Sequence, residues 1–215
     1  EVSSQALKYH RSLCTEFAAA CFLNIGYDHI SPIEHPDFED YFSSKLKIFS
    51  QGAVNCVNLD CDHAPEVLAA AQAAGRPVIS FSQKKPQADV YASSVRKEDG
   101  QTVFQVRTPS YERKFRLTMP GLFNVENALG VIAVCEALHI PDWAVYDGLV
   151  RARVPGRMEV FSNADGSVQA IVDYAHNAVS MESLLKTLRD YKPKRLVCVF
   201  GCGGNRAKER RYSMG

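Results

Sequence analysis

The sequence predicts an α/β fold: a mostly parallel sheet covered by helices, with a small antiparallel subsheet, followed by the start of a second α/β domain. Short apolar runs of strand length alternate with helical segments from Phe17 to Phe81, which is typical of a parallel sheet. From Asp89 to Thr118 the residues alternate, with turns at 98–100 and 109–110, which predicts antiparallel hairpins. Short strands begin again after residues 151–156, and this restart predicts the second domain.

Each element of the first domain follows from its local pattern. The apolar run at 17–25 predicts a buried strand, and a proline-rich turn at 31–36 precedes a helix at 37–49 that Gly52 ends. The remaining predicted elements are, in chain order, a strand at 53–59, a helix at 64–74, a strand at 77–81, a helix at 123–138 and a helix at 142–150.

The segment 151–156 contains proline and glycine and predicts a linker. We place one domain at 1–154 and the beginning of another at 155–215. The chain begins at Glu1 and stops at Gly215, just after a predicted helix start, so we expect it to be a piece of a longer protein. The elements expected in the second domain are strands at 158–161 and 168–172, a helix at 180–191 and a strand at 195–200.

Composition limits the classes of partner. The 25 basic and 24 acidic side chains give a net charge of +1, so nucleic acid and anionic membranes are not expected partners. No apolar run approaches the ~20 residues that cross a bilayer, and no signal peptide opens the chain. Seven cysteines, an odd number without paired CxxC spacing, argue against a disulfide framework and a structural zinc site. We expect a cytoplasmic protein with no membrane insertion.

Lys45 has an unusual place on the helix predicted at 37–49. On a helical wheel of about 100° per residue, Lys45 falls inside the apolar stripe, whereas Lys47 falls on the opposite side. That stripe consists of Phe38, Tyr41, Phe42, Leu46 and Phe49. A buried ammonium group without a partner is costly, so either the side chain extends past the aromatic rings to water, or it belongs to a polar site beside Asp28, His29 and Glu1. An ammonium group offers only donors and binds no metal, whereas a carbamylated lysine could.

Two asparagines mark the start of the helix predicted at 123–138. Asn124 and Asn127 lie three residues apart, so both amides face the same side. A helix N-terminus favours anions and nucleotides, which makes this pair a candidate nucleotide site. In the alternative interpretation Asn124 only caps the helix, and Asn127 is then unexplained.

Polar and flexible residues also follow two predicted strands of the second domain. Asp173 and His176 follow the strand at 168–172, and Gly201-Cys-Gly-Gly-Asn205 follows the strand at 195–200. Ligands of open parallel sheets bind at the carboxyl ends of strands, and a glycine-rich backbone cradles anions; a tight strand-to-helix turn is the alternative. No Ser-His-Asp or Cys-His nucleophile arrangement is visible. The basic cluster that follows is interpreted as a solvated helix face and consists of Arg206, Lys208, Arg210 and Arg211.

Seven motifs in this order resemble the Mur ligases of peptidoglycan synthesis, most closely the MurE type, UDP-N-acetylmuramyl-tripeptide synthetase. The resemblance covers essentially the whole chain. The motifs are Glu1-Val-Ser-Ser4, Asn24-Ile-Gly-Tyr-Asp-His29, Tyr41-Phe-Ser-Ser-Lys45, Phe123-Asn-Val-Glu-Asn-Ala128, Pro155-Gly-Arg-Met-Glu159, Asp173-Tyr-Ala-His176 and Phe200-Gly-Cys-Gly-Gly204.

The resemblance implies a role for each matching residue. Glu1, His29 and Lys45 match residues that hold Mg²⁺ and act in catalysis, with Lys45 carbamylated. Ser3 and Arg11 match positions that contact the UDP-MurNAc-peptide substrate. The residues that match an ATP site between the two domains are Asn124, Asn127, Arg157, Asp173 and His176.

The resemblance also implies a fold and a reaction. The fold is a Mur ligase central, ATP-binding domain followed by the start of a Rossmann-like C-terminal domain. In the reaction, ATP phosphorylates the terminal carboxylate of the UDP-MurNAc-dipeptide. The amine of an incoming amino acid then attacks the acyl phosphate, and ADP and phosphate are released. Cationic side chains and Mg²⁺ would offset the charge on the transferring phosphoryl group.

The chain departs from the family pattern at two motifs. The usual Asp-Tyr-Ala-His-Thr-Pro is here Asp173-Tyr-Ala-His-Asn-Ala178, and the usual Gly-Gly-Asp-Arg-Asp is here Gly203-Gly-Asn-Arg-Ala207. No GxxGK[ST] phosphate loop, N-terminal UDP-binding domain or C-terminal amino-acid-selecting segment is present in these residues. We therefore expect this stretch alone to be inactive, and it does not indicate which amino acid is added.

Two other functions stay open from the sequence. One is a divergent ligase of the same kind that acts on another substrate, such as a folylpolyglutamate-synthase-like enzyme. The other is a non-catalytic module of the same fold that binds a partner enzyme such as an amidotransferase subunit.

Overall fold

The structure, a computed structural model, describes residues 1–27, 29–202 and 209–215. Its elements in chain order are α1 (Ser4–Lys8), β1 (Ala20–Phe22), α2 (Phe38–Leu46), a 3-10 helix (Lys47–Ser50), β2 (Asn55–Asn58), α3 (Ala64–Ala73), β3 (Val78–Ser82), β4 (Val90–Glu98), β5 (Gln101–Arg107), β6 (Glu112–Leu117), α4 (Phe123–Ala137), α5 (Asp142–Arg151), β7 (Glu159–Ser162), β8 (Gln169–Val172), α6 (Ala178–Arg189) and α7 (Glu209–Met214).

Six strands form one mixed sheet in the order β1-β2-β3-β4-β5-β6. Strands β1 to β4 are parallel, and β5 and β6 continue the sheet as antiparallel hairpins. The structure therefore confirms the predicted α/β class, with a mostly parallel sheet covered by helices and a smaller antiparallel part. The hairpins extend the parallel sheet and do not form a separate layer.

Helices cover both faces of the sheet, and the alternation along β2 shows why. Cys56 belongs to the apolar cluster that β3 to β6 form with α4 and α5, whereas its neighbour Val57 belongs to the cluster formed with α2 and α3. Successive side chains of a strand point to opposite faces, so a strand buried on both faces is apolar at consecutive positions. This layout brings the start of α4 and the end of α2 to the parallel part of the sheet.

Gly52 permits the close approach between the segment after α2 and the edge strand β1. A Cβ atom at position 52 would lie 2.6 Å from Asn55 Oδ1 and 2.7 Å from Ala20 Cβ. Phe17 and Gly52 form an isolated parallel bridge beside this contact. The regular part of β1 is shorter than the strand predicted at 17–25, since β1 lies at the edge and pairs only with β2.

The second unit differs from the prediction at one strand. The strands predicted at 158–161 and 168–172 are present as β7 and β8, and they form an antiparallel pair. The strand predicted at 195–200 is wrong: the structure has no strand there, and Val199 is 93% exposed. Its apolar residues favour a strand, but among the described residues this segment pairs with no strand, and an unpaired segment gains no ladder hydrogen bonds. The boundary between 154 and 155 stays a prediction.

Among the described residues, no helix is both long enough and apolar enough to cross a membrane.

Candidate active site

Helix α2 directs Lys45 into a pocket of aromatic rings, as the helical wheel predicts. Lys45 Nζ lies 5.3 Å from the centre of the Phe22 ring and 5.5 Å from that of Tyr41, and it donates a hydrogen bond to the carbonyl oxygen of Asn24 at 3.2 Å. Lys45 is half-buried, whereas Lys47 is exposed. Ring faces attract a cation, which offsets part of the cost of removing the ammonium group from water.

His29 packs against the same aromatic ring as Lys45, that of Tyr41. The imidazole of His29 is centred 5.5 Å from the ring of Tyr41, so Tyr41 contacts two of the three predicted metal ligands. His29 adopts a positive φ of 60°, which directs it away from the path of a regular strand or helix. The third predicted ligand, Glu1, is exposed and precedes α1. Asp28, the other predicted neighbour of Lys45, lies outside the described residues.

Glu1, His29 and a carbamylated Lys45 would together offer oxygen and nitrogen ligands to a divalent cation. In the described part of the chain, no group of three or more His, Cys, Asp and Glu side chains is placed to hold a metal ion. The metal site that the resemblance implies would use Lys45 as a third ligand beside Glu1 and His29. Only the carbamate form of Lys45 offers oxygen lone pairs, and oxygen is the ligand atom that Mg²⁺ prefers.

Glu34 and Ser31 support His29 and were not singled out from the sequence. His29 Nδ1 lies 3.2 Å from Glu34 Oε1, and the Ser31 hydroxyl donates to Glu34 Oε2 at 3.2 Å. Glu34 is buried. Ligand histidines commonly donate their other N–H to a carboxylate, but only the fold shows that the loop brings Glu34 back to His29.

A buried network joins Ser4, His35 and Asp40, three residues that the sequence did not single out. His35 is fully buried; its Nε2 lies 2.9 Å from Ser4 Oγ and its Nδ1 lies 2.6 Å from Asp40 Oδ2. Lys8 Nζ donates to the same Asp40 oxygen at 2.6 Å. Because Ser4 is also buried, a substrate does not reach its hydroxyl. We interpret the group as a structural network that joins α1 to α2, not as a nucleophile.

The two residues predicted to contact the substrate flank α1. Ser3 caps this helix, since its hydroxyl oxygen accepts a hydrogen bond from Ala6 N at 3.1 Å. The O–H of Ser3 still has a proton to donate. Arg11 follows the helix, is exposed, and places its guanidinium 5.9 Å from the centre of the Tyr9 ring. Ser3 and Arg11 thus flank one short helix that the His35 network joins to α2.

Asn124 and Asn127 differ in what they contact. They are neither two equivalent exposed amides nor an N-cap and a spare residue. Helix α4 has Leu122 at its N-cap, with no side-chain cap bond, so the interpretation of Asn124 as an N-cap is wrong. Asn124 is buried; its Nδ2 donates to the carbonyl of Pro120 at 2.7 Å, and its Oδ1 accepts from Asn127 Nδ2 at 3.2 Å. Asn124 therefore fixes the preceding loop and orients Asn127. The exposed member of the pair is Asn127, which makes it the better candidate for a ligand contact.

Arg157 and His176 gather around Tyr174, a residue that the sequence did not single out. The Arg157 guanidinium lies 4.6 Å from the centre of the Tyr174 ring. The His176 ring packs edge-on against the same ring at 4.9 Å, and His176 Nδ1 lies 2.9 Å from the Tyr174 carbonyl oxygen. Tyr174 is 62% exposed. A planar cation held open to solvent on an aromatic ring is able to bind phosphate.

Asp173 organises the backbone around these side chains. Its Oδ2 accepts from Met158 N at 2.9 Å and its Oδ1 accepts from Ala175 N at 2.8 Å. Both carboxylate oxygens are thus engaged by backbone N–H groups, and Asp173 ties the turn before β7 to the turn after β8. Among the described residues, no hydrogen bond, ion pair or ring contact joins Asn124 or Asn127 to this group.

The structure explains one departure from the family motif. At the position where the family has threonine, Asn177 caps α6: its side chain accepts from Ser180 N at 2.9 Å, and the Ser180 hydroxyl completes a capping box. Asparagine and threonine are both favoured N-caps, so the helix start is preserved. Of the predicted glycine-rich turn, residues 203–205 lie outside the described residues, as do Arg206, Lys208 and the side chain of Arg210.

Polar residues that the sequence did not single out form a cluster at the carboxyl ends of β2 and β3. Asp60 accepts hydrogen bonds from the Ser82 hydroxyl and from Gln83 N, both at 2.6 Å. Glu126, between the two asparagines, lies close enough that burial and then the Asp60 carboxylate raise its pKa, while Lys84 opposes this. An acidic residue directly after a parallel strand is the signal that would have indicated this edge.

The cysteines of the chain differ in burial. All seven are free thiols. Burial raises the pKa of Cys21 and of Cys56 to about 12, so both thiols stay protonated at neutral pH and are poor nucleophiles.

Comparison with known proteins assigns both parts of the chain. A family model of the Mur ligase middle domain matches residues 1–135, and a model of the Mur ligase glutamate ligase domain matches residues 156–215. UDP-N-acetylmuramoyl-L-alanyl-D-glutamate–2,6-diaminopimelate ligase of Clostridioides difficile (strain 630) is 34% identical over 217 residues, with 100% of this chain and 44% of the relative covered. The corresponding L-lysine ligase of Enterococcus faecalis (strain ATCC 700802 / V583) is 37% identical over 221 residues, with 100% and 43% covered.

A solved structure of a UDP-N-acetylmuramoyl-L-alanyl-D-glutamate–2,6-diaminopimelate ligase superposes with a TM-score of 0.74 at 28% identity, over 100% of this chain and 44% of that one. This chain thus spans less than half the length of the relatives it matches. The first family model alone covers more than half of the chain, and we conclude that the chain belongs to the Mur ligase family.

Proposed function

We propose that the protein is an ATP-dependent ligase of the MurE type that adds the third amino acid to a UDP-MurNAc-dipeptide in peptidoglycan synthesis. The observation that carries this proposal is the placement of His29 and Lys45 around one ring, that of Tyr41. The names of the relatives support the substrate class, since they act on UDP-N-acetylmuramoyl-L-alanyl-D-glutamate. We also place the reaction in the cytoplasm, consistent with seven free thiols.

The residues of this chain have distinct roles in the proposed reaction. Lys45, carbamylated by addition of its neutral amine to carbon dioxide with loss of one proton, would bind Mg²⁺ together with His29 and Glu1. The charge that develops on the transferring phosphoryl group would be offset by Mg²⁺. Ser3 and Arg11 contact the UDP-MurNAc-dipeptide, Arg11 through a guanidinium suited to phosphate or carboxylate.

The ATP site of the proposed enzyme uses residues of both domains. Arg157 and His176 face solvent beside Tyr174 and supply cationic and hydrogen-bonding groups for phosphate oxygens. Asn127 offers its amide at the start of α4. Asn124 and Asp173 act by fixing the backbone around these side chains.

Phosphate release by the full-length protein tests the function. The assay contains Mg-ATP, UDP-MurNAc-L-Ala-D-Glu and, one at a time, lysine, diaminopimelate and other amino acids. Release that requires both the nucleotide sugar and one amine establishes the ligase and names its third residue, which the relatives leave open because they include both a diaminopimelate and a lysine ligase. No release with any amine, from protein shown to be folded, would favour the divergent ligase or the non-catalytic partner-binding module.

A further inference from the structure

The loop between β1 and α2 closes on itself around a buried carboxylate. His35 N donates to the His29 carbonyl at 3.2 Å, Ser31 N donates to the His35 carbonyl at 3.0 Å, and Glu34 N donates to the Ser31 carbonyl at 3.1 Å. Ile30 and His35 form a parallel bridge inside the same loop. These backbone hydrogen bonds fix the position from which the Glu34 side chain extends.

Helix α1 holds the far side of this loop. Lys8 Nζ donates to the Glu34 carbonyl at 3.4 Å, and Gln5 Nε2 donates to the Ile33 carbonyl at 3.1 Å. The side chain of Glu34 is only 7% exposed. Its two oxygens are shared between His29 Nδ1 and the Ser31 hydroxyl, each at 3.2 Å. Glu34 is therefore placed by the loop and directed at one nitrogen of His29.

The chemistry of this pair fixes which nitrogen of His29 carries the proton. An ionised carboxylate accepts hydrogen bonds and donates none, so an ionised Glu34 requires a proton on His29 Nδ1. In the neutral imidazole the lone pair is then on Nε2, which becomes the nitrogen that binds a metal. Metal-binding histidines in general donate their other N–H to a carboxylate or a carbonyl, which sets the tautomer and the ring orientation.

We propose that Glu34 is a positioning residue that holds His29 as its Nδ1–H tautomer and turns Nε2 toward the metal. The second half of this inference rests on the proposed function, in which His29 binds Mg²⁺; the first half does not. Glu34 is thus needed for metal affinity without itself touching the metal, the nucleotide or the substrate.

Nitrogen NMR of the imidazole, on full-length protein labelled with ¹⁵N-histidine, tests the tautomer without metal or activity. At a pH where His29 is neutral, we expect a protonated Nδ1 and an unprotonated Nε2 in the unaltered protein, and a mixture of tautomers in Glu34→Gln. The matched control is Ser31→Ala, which removes the hydrogen bond from the Ser31 hydroxyl to the same carboxylate and keeps the His29 contact. A protonated Nε2 in the unaltered protein overturns the proposal even if Glu34→Gln fails to fold.

Binding of Mn²⁺, followed by electron paramagnetic resonance, tests the second half. Loss of an outer-shell partner costs about 10- to 100-fold in metal affinity, so we expect that loss in Glu34→Gln and little change in Ser31→Ala. Equal losses in both variants would mean that Glu34 only stabilises the loop, which overturns the positioning role. The expected tautomers with unchanged Mn²⁺ affinity in Glu34→Gln would also overturn it, and would count against His29 as a metal ligand. Phosphate release tests the ligase separately.

Discussion

His35 Nδ1 lies 2.6 Å from Asp40 Oδ2 in a network that holds two helices together. Helix α1 contributes Ser4 and Lys8 to this network, and Asp40 belongs to α2. The residue proposed to become a metal ligand, Lys45, lies on α2, and Ser3 caps α1. The network therefore sets the spacing between the two parts of the candidate site.

Substitution of Asp40 by asparagine should change the acid dependence of stability. Hydrogen bonds from Lys8 and then from His35 lower the pKa of Asp40 below its ordinary value. A group with a lowered folded pKa stabilises the protein fully above its unfolded pKa, about 3.9, and this contribution is lost as pH falls through the folded pKa. Asp40→Asn should therefore be less stable than the unaltered protein at pH 6, and the difference should shrink below about pH 4.

Urea midpoints measured from pH 6 to pH 2.5 check this expectation. The matched control is Asp62→Asn, which alters an exposed aspartate on the loop before α3 and should leave the profile almost unchanged. A stability difference for Asp40→Asn that is equal at both ends of the range would show that the carboxylate charge does not contribute.

Substitution by alanine should lower the stability of the protein at Gly52 and raise it at Gly148. A Cβ at position 52 would meet Asn55 Oδ1 and Ala20 Cβ at less than 3 Å, and overpacking of this kind costs about 1–3 kcal/mol. A Cβ at position 148 meets nothing within 4 Å, and Gly148 lies inside helix α5. Alanine there should stabilise by about 0.5–1 kcal/mol. Denaturant unfolding of both variants measures the two signs, and a stabilised Gly52→Ala would contradict the close contact.

Local periodicity predicted those parts of the protein whose structure is decided by residues close in sequence. The helical wheel placed Lys45 on the apolar side beside Tyr41 and Lys47 on the opposite, exposed side, because α2 and the 3-10 helix that follows it form one continuous helical run. The hairpins β4 to β6 followed from strict alternation and turn residues. In both cases the neighbours that decide the structure are close in sequence.

Contacts between distant segments could not be predicted in this way. Ser4, His35 and Asp40 form one network only because the loop before α2 folds back onto α1, and no spacing rule relates residues 4 and 35. The strand expected at 195–200 was wrong for a related reason: an apolar sequence favours a strand, but a strand also needs a partner. The role of Asn124 was missed because its acceptor, the Pro120 carbonyl, is set by a loop.

Substitution of Lys45 by arginine should separate the positive charge from the carbamate. Arginine keeps a cation that stacks on Phe22 and Tyr41, but a guanidinium does not take up carbon dioxide. We expect phosphate release by the full-length enzyme to fall by about 10²–10³-fold, the usual effect of losing one electrostatic contact in a transition state. The control Lys47→Arg, on the exposed side of the same segment, should keep full activity.

Carbon NMR with ¹³C-labelled carbon dioxide checks the modification directly. The carbamate signal of Lys45 is expected in the unaltered protein and in Lys47→Arg. The same signal should be absent from Lys45→Arg. Full activity of Lys45→Arg would show that a cation is sufficient at this position and would contradict the carbamate.

Tyr174 should contribute to nucleotide binding through the ring on which Arg157 stacks and against which His176 packs. The stack between the guanidinium and the ring is an exposed cation–π contact, worth about 0.5–1 kcal/mol. Its loss in Tyr174→Ala should raise the KM for ATP about 2- to 5-fold with little change in kcat. The conversion is that about 1.4 kcal/mol of binding free energy changes a dissociation constant tenfold. Tyr174→Phe keeps the ring and should bind ATP normally. If Tyr174→Phe and Tyr174→Ala raise KM equally, the phenol hydroxyl and not the stack contacts the nucleotide, because only the hydroxyl is lost in both.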